Sequence, residues 1–179
     1  NEISESEEKK FEQILFRKKF RSADWRKVGK YSGHNVIGSY EKEVLNFLKL
    51  KELNLKVVLD IGNGAQGMVA PDLFKRLNCE IVLLHSAMDG FFERGPEPRA
   101  DTLTKLKETV LKESADFGVA FDTDGDRAIF VTDKGEILMG DVTGSLLAGE
   151  LLKQNRNGLI VTTIICLLQM KSNKALRQP

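Results

Sequence analysis

The chain of 179 residues contains only two cysteines, Cys79 and Cys166, and they lie far apart in apolar surroundings. Such a pair gives no disulfide framework, so we expect a reducing compartment, the cytoplasm. The sequence also lacks an excess of either charge: 27 basic residues balance 26 acidic ones, for a net charge of +1. This balance gives no reason to expect nucleic acid or an anionic membrane surface as a partner.

Long hydrophobic runs are missing as well. No apolar stretch reaches the roughly 20 residues that a membrane-spanning helix needs. The first residues, "NEISESEEKKFE", are acidic where a signal peptide would be basic and then apolar. Proline occurs only four times, whereas hydrophobic residues make up 41% and charged residues 30% of the chain. This composition is typical of a globular domain with a buried core and not of a disordered or fibrous chain.

From Lys56 onward, short apolar runs alternate with helical patterns. The segments "KVVLDIG", "EIVLLHS" and "DFGVAFD" predict buried strands, and "AQGMVAPDLFKRL" and "ADTLTKLKETVLKESA" predict the helices between them. This alternation indicates parallel strands with helical crossovers. The next segment, "RAIFVTDKGEILMGD", predicts two strands joined by a turn, an antiparallel hairpin. The sequence therefore predicts a three-layer α/β domain with a mixed sheet.

Flanking segments surround this domain. Residues 1–38 predict a charged helix, capped by Ser4 or Ser6, and a glycine-bearing connector from the end of a preceding domain. Residues 39–155 hold the α/β domain, in which Ser39 is a candidate cap for the first helix. Residues 156–179 contain a further strand pattern, "GLIVTTII", and predict the start of an incomplete third domain or an aberrant end.

Three aspartates cluster in "FDTDGDRAIF", after the third predicted strand. Asp122, Asp124 and Asp126 repel one another when ionised and resist leaving water, so we expect a positive group to compensate them. Gly125 can supply the backbone turn that lets three side chains converge. In an extended chain the Arg127 side chain would point away from the acids, but a turn at Gly125 can reverse this.

Several kinds of site could contain such a cluster. A solvated loop is one, because Asp and Gly both favour turns. An EF-hand calcium loop is another, but Arg127 stands where its glycine is needed, Asp133 where its glutamate is needed, and a strand precedes it. A phosphatase of the haloacid dehalogenase type would use Asp122 as nucleophile and Asp124 as acid-base, with Asp126 in place of the motif's threonine.

A divalent-cation site for phosphate transfer accounts for every residue of the stretch. Three hard oxygen ligands from one turn can hold Mg²⁺ and leave a coordination position for a phosphate oxygen. Arg127 would add a planar cation beside the same phosphate.

The motif "DTDGDR", followed by an apolar strand, "DKGE" and "GD", resembles the metal-binding loop of the α-D-phosphohexomutases. That superfamily includes phosphomannomutase, phosphoglucomutase and phosphoglucosamine mutase. Its loop has the form Asp-Gly-Asp-Gly-Asp-Arg, so Thr123 replaces one glycine and all three acids are kept. The segments "VVLDIGNGAQG", "ERGPEPRADTLTKLKE" and "LIVTTI" resemble further parts of the family, in the family's order, over residues 40–164.

The resemblance implies the second domain of such an enzyme, with flanking pieces. It implies Mg²⁺ as the cofactor, held by Asp122, Asp124 and Asp126, and Arg127 as a catalytic residue at the phosphate. The full protein would move a phosphoryl group reversibly between positions 1 and 6 of a hexose phosphate, through a phosphoserine on another domain. Its partner would be a sugar phosphate, with no nucleic acid and no membrane. This chain alone would be inactive; a non-enzymatic cation-binding domain is the alternative.

One further motif is typical of a different class, the dinucleotide-binding proteins. Gly62, Gly64 and Gly67 match the G-x-G-x-x-G of dinucleotide-binding folds. His85 and Ser86 stand at the end of the second strand, where that motif requires an acid. We therefore predict a tight structural turn with close helix packing.

Overall fold

The computed structural model describes residues 3–155 and 158–161. The chain divides into two compact units, residues 1–35 and residues 36–179. None of the described helices is long and apolar enough to span a lipid bilayer. The domain limits predicted after residues 38 and 155 stay predictions.

The first unit contains helix α1 (Glu5–Phe16) and a short 3-10 turn at Trp25–Lys27. Ser4 caps α1, and its backbone N–H donates to the Glu7 carboxylate at 2.9 Å. The prediction of a serine cap is confirmed at Ser4. The hydrogen bond from the Ser4 hydroxyl, followed by that from its backbone N–H, lowers the pKa of Glu7.

The second unit contains a five-stranded sheet and four helices among its described residues. In chain order its elements are α2 (Ile37–Leu48), β1 (Lys56–Asp60), α3 (Ala70–Arg76), β2 (Glu80–Leu84), α4 (Thr104–Glu113), β3 (Phe117–Phe121), β4 (Ala128–Thr132), β5 (Ile137–Leu138) and α5 (Gly140–Gln154).

The strands lie in the order β2-β1-β3-β4-β5. β1 pairs parallel with both β2 and β3, so that Val58 lies opposite Val82 on one side and Gly118 on the other. β3 pairs antiparallel with β4, and β4 pairs antiparallel with β5. The predicted mixed sheet, with parallel strands followed by an antiparallel hairpin, is confirmed.

Helices cover both faces of the sheet, as the alternating side-chain directions of buried strands require. On one face, Val58 and Val131 pack with Leu106 and Val110 of α4. On the opposite face, Val57, Leu59 and Val119 pack with Phe74 of α3 and Leu45 of α2. The three-layer arrangement is therefore also confirmed.

Three local predictions differ from the structure. α2 begins at Ile37 and its N-cap is Val36, not Ser39, because the Tyr40 N–H already bonds to the Val36 carbonyl. The helix predicted after β1 is divided into a 3-10 turn at Ala65–Met68 and α3, whose first turn contains Pro71. Of the predicted strand "GLIVTTII", residues 158–161 have no regular structure, and the rest lies outside the described residues.

Candidate metal centre

The three aspartates lie in the loop that joins β3 to β4, residues 122–127, here called the aspartate loop. A connection this short is possible because β3 and β4 are antiparallel neighbours. β1 and β3 run in the same direction, so the loop starts at the edge of the sheet where the parallel strands have their carboxyl ends. Ligand sites of α/β folds lie at this edge.

Asp122 organises the aspartate loop from inside. Its side chain is buried, and its Oδ1 accepts the backbone N–H groups of Gly125 and Arg127, both at 3.0 Å. Gly125 has φ +83°, a backbone conformation that favours glycine. The turn at this glycine brings the second half of the loop back towards Asp122, as the sequence predicted.

The turn brings the three carboxylates together. Asp122, Asp124 and Asp126 each offer an oxygen, and these oxygens all lie within 4.8 Å of one another. Asp124 and Asp126 are exposed, whereas Asp122 is buried. Within residues 3–155 and 158–161, no other group of three acidic, His or Cys side chains has its ligand atoms this close. Carboxylate oxygens are the ligands that Mg²⁺ prefers, so the donor set fits this cation.

The carboxylates also change one another's protonation. Burial raises the pKa of Asp122, but hydrogen bonds from the Arg127 backbone and with Asp126 and Asp124 outweigh it, and the pKa is lowered overall. The hydrogen bond with Asp122 and the charge of Asp124 raise the pKa of Asp126. The ionised carboxylates of this loop therefore repel one another, and a bound cation would lower that repulsion.

Arg127 lies on the same side of the loop as the acids. Its Nη1 donates to Glu97 Oε2 at 2.6 Å, and its Nε lies 3.7 Å from Asp122 Oδ2 and 3.5 Å from Asp126 Oδ1. The charge of Glu97 raises the pKa of Arg127. The turn at Gly125 thus reverses the direction that an extended chain would give this side chain.

The glycine-rich turn after β1 packs directly on the aspartate loop. The Ala65 N–H donates to the Thr123 carbonyl at 2.9 Å, and Gln66 Nε2 donates to the Gly125 carbonyl at 3.0 Å. A Cβ on Gly64 would lie 2.5 Å from the Thr123 carbonyl oxygen, so only glycine permits this approach. The predicted tight structural turn is confirmed, but the close packing of Gly64 is against the aspartate loop and not against a helix.

A buried ionic cluster lies next to the aspartate loop. Asp60 ends β1, and its Oδ2 lies 3.0 Å from Arg94 Nε, while its Oδ1 lies 2.9 Å from His85 Nδ1. All three side chains are at most 7% exposed. Arg94 also donates through Nη2 to the carbonyl of Phe121, the residue before Asp122. The cluster therefore connects the carboxyl ends of β1 and β3.

Sequence reasoning did not single out Asp60, Arg94 or Glu97 as parts of this edge, and it treated His85 only as a departure from the dinucleotide motif. One signal was available: Asp60 ends an apolar strand pattern as Asp122 does, and parallel strands place their carboxyl ends together. Arg94 and Glu97 lie in the segment "ERGPEPRADTLTKLKE", which resembles the family, but its irregular structure gave no signal that would place them at this edge.

The fold around the loop excludes one interpretation. An EF-hand places its ligands between two helices, whereas here β3 precedes the aspartates and β4 follows them.

Comparisons with known proteins place the chain in a family. The family model described as "Phosphoglucomutase/phosphomannomutase, alpha/beta/alpha domain II" matches residues 38–135. A phosphoglucomutase/phosphomannomutase of Thermococcus kodakarensis is 36% identical over 157 residues, which cover 86% of this chain and 34% of that protein. A phosphoglucosamine mutase of Caldicellulosiruptor bescii is 35% identical over 171 residues, covering 90% of this chain and 37% of that protein.

A solved structure gives the same result. The crystal structure of a phosphoglucomutase/phosphomannomutase family protein from Burkholderia thailandensis matches with a TM-score of 0.71 and 30% identity, over 86% of this chain and 33% of that one. This chain thus spans about a third of the length of the relatives it matches. Family model, relatives and solved structure agree with the domain built above, and the chain belongs to the phosphoglucomutase/phosphomannomutase family, with its α/β/α domain II at residues 38–135.

Proposed function

We propose that this chain supplies the metal-binding domain of a phosphohexomutase, within residues 39–155. The full protein would transfer a phosphoryl group reversibly between positions 1 and 6 of a hexose phosphate. One observation carries the proposal: three carboxylate oxygens lie within 4.8 Å of one another, with Arg127 beside them, in a domain of this family. Sugar phosphates are the substrates that this chemistry implies.

Mg²⁺ is the proposed cofactor, and Asp122, Asp124 and Asp126 would hold it. When bound, it would stabilise the charge on phosphate oxygens during transfer. The three aspartates have different positions in this site. Asp122 fixes the turn through two backbone N–H groups, while Asp124 and Asp126 face solvent, where a phosphate can approach.

Arg127 is the proposed catalytic residue. Its side chain is 62% exposed and lies beside the carboxylates, so its guanidinium can reach a phosphate that approaches Asp124 and Asp126. Arginine can donate two parallel hydrogen bonds to a phosphate, which lysine cannot copy. In this role Arg127 would orient the phosphoryl group and balance its charge.

The phosphoserine that donates the phosphoryl group and the residues that choose the sugar would lie in other domains of the full protein. We therefore expect no turnover when this chain alone is assayed with glucose 1-phosphate or mannose 1-phosphate. The cytoplasmic location and the absence of nucleic-acid and membrane partners stay predictions.

A mutase assay of the full-length protein with Mg²⁺ tests the proposal. Asp124→Asn should lower turnover at least about 100-fold, the loss seen when a charge-stabilising group is removed from a closed site. Asp133→Asn is the matched control, because it makes the same change at an exposed aspartate in the β4–β5 turn. Full turnover in Asp124→Asn would contradict the proposal. Metal binding without any mutase activity of the full-length protein would instead support a non-enzymatic cation-binding domain.

A further inference from the structure

The backbone around Glu97, an acidic residue near the aspartate loop, is constrained. It lies in the GPEP segment (residues 95–98), so that two of the four prolines in the chain flank it. Pro96 fixes its own φ near about −65°, and Pro98 restricts Glu97 to extended conformations. The Thr102 hydroxyl lies 3.4 Å from the Glu97 carbonyl and can donate to it. Little backbone freedom therefore remains at this residue.

Buried residues anchor the GPEP segment on both sides of Glu97. Arg94 precedes the segment, and its side chain is 1% exposed and held 3.0 Å from the Asp60 carboxylate. Pro98, which ends the segment, is itself buried. The Glu97 carboxylate thus extends from a fixed backbone towards the aspartate loop.

This carboxylate makes the shortest contact of Arg127. Glu97 Oε2 accepts from Arg127 Nη1 at 2.6 Å, while the Arg127 Nε lies 3.5 Å or more from the two nearest aspartate oxygens. The side chains of Glu97 and Arg127 are 46% and 62% exposed. Exposed ion pairs contribute little to stability, so stability alone does not explain a carboxylate constrained by two prolines.

We propose that Glu97 is a positioning residue for Arg127. Without it, the guanidinium would move closer to Asp122 and Asp126, whose oxygens lie 3.7 Å and 3.5 Å from its Nε, and would compete with a cation for these oxygens. Glu97 draws the guanidinium away from these carboxylates and keeps it in one orientation at the rim of the site. The inference rests on the proposed function for what Arg127 does there, but the contact itself does not depend on it.

Side-chain NMR of this chain tests the positioning directly and needs no metal. The Arg127 Nε–Hε signal is assigned by its loss in Arg127→Lys, and its order parameter is then measured in Glu97→Gln. Asp101→Asn is the matched control, because Asp101 is an exposed acid close by in the chain that pairs with Arg99. We expect an ordered Arg127 side chain in the wild type and in the control, and a mobile one in Glu97→Gln. An Arg127 signal equally ordered in all three would overturn the proposal.

Mn²⁺ titration of the same samples tests the consequence. Glu97→Gln should weaken Mn²⁺ binding several-fold, and this loss should vanish when Arg127→Ala is also present, because it acts through the guanidinium. An equal loss in the Arg127→Ala background would mean that Glu97 acts through its own charge, against the proposal. A wild-type chain that binds no Mn²⁺ would contradict the proposed function, while the NMR result would still decide on Glu97.

Discussion

At the residue scale, the two aspartates at the carboxyl ends of β1 and β3 are compensated by different partners. Asp60 is buried against the side chains of Arg94 and His85. Asp122 is buried against backbone N–H groups and shares its surroundings with two further carboxylates. The charge at Asp60 is thus balanced within the protein, whereas the aspartate loop keeps an excess of negative charge that suits a cation.

Arg127→Lys separates the two possible roles of this residue. If the guanidinium contacts phosphate, the full-length variant should keep its Mg²⁺ affinity and thermal stability, because the positive charge remains beside the acids. Its turnover should fall at least about tenfold, since lysine cannot form two parallel hydrogen bonds to one phosphate. Steady-state kinetics, calorimetric metal titration and thermal unfolding measure the three quantities. A joint fall of stability, metal affinity and turnover would show that Arg127 stabilises the aspartate loop and does not act through a phosphate contact.

Asp60→Asn tests the buried ionic cluster. The change leaves Arg94 buried without its counter-charge, so the free energy of unfolding should fall by about 3 kcal/mol or more. Urea denaturation of this chain measures it. Asp72→Asn is the control: it removes the same charge from an exposed side chain 3.9 Å from Lys75, and it should cost less than about 1 kcal/mol. Equal stability of both variants would show that the cluster does not hold the ends of β1 and β3 together.

At the scale of elements, two separate segments converge on the aspartate loop, and one helix packs on the sheet that carries it. The glycine-rich turn after β1 bonds to its backbone at Thr123 and Gly125. The segment between β2 and α4 reaches it through Arg94 and Glu97. Helix α4 then packs on the sheet that carries the loop, and the closeness of this packing depends on one glycine in β3.

Gly118→Ala should weaken the packing of α4 on β3. A Cβ at this position would lie 2.7 Å from Val110 Cγ2 and 2.8 Å from Leu106 Cδ1, so these side chains or the helix that carries them would have to shift. We expect the free energy of unfolding to fall by about 2 kcal/mol. Gly38→Ala in α2 is the control, because a Cβ there meets nothing within 4 Å, and it should raise stability by up to about 1 kcal/mol. Urea denaturation compares them, and a neutral Gly118→Ala would show that the layers are loosely packed.

Most of the elements could be predicted from the sequence because their patterns are local. The short apolar runs in β1 to β3 and the turn "DKG" show their structure within a few residues. The aspartate loop was equally readable, since one short turn holds all three carboxylates. The Glu97–Arg127 pair joins residues thirty positions apart, and the start of α2 depends on backbone bonds at Val36. Neither feature has a local signal, so neither could be predicted.

At the scale of the whole molecule, the site described here is one part of the proposed enzyme. The chain spans 34% and 37% of the two curated relatives compared above. The names of these relatives include both phosphoglucomutase/phosphomannomutase and phosphoglucosamine mutase, so they do not decide which hexose phosphate is used. The features that could choose it, like the phosphoryl donor, would belong to the other domains.

The most direct test of the central claim is a calorimetric titration of this chain with Mg²⁺ or Mn²⁺. Three carboxylates without a phosphate ligand form an open site, so we expect a dissociation constant on the order of 1 mM. Asp124→Asn should abolish this binding, whereas Asp133→Asn should leave it unchanged. Binding that is equally strong in the wild type and in Asp124→Asn would contradict the assignment of the aspartate loop as the metal site.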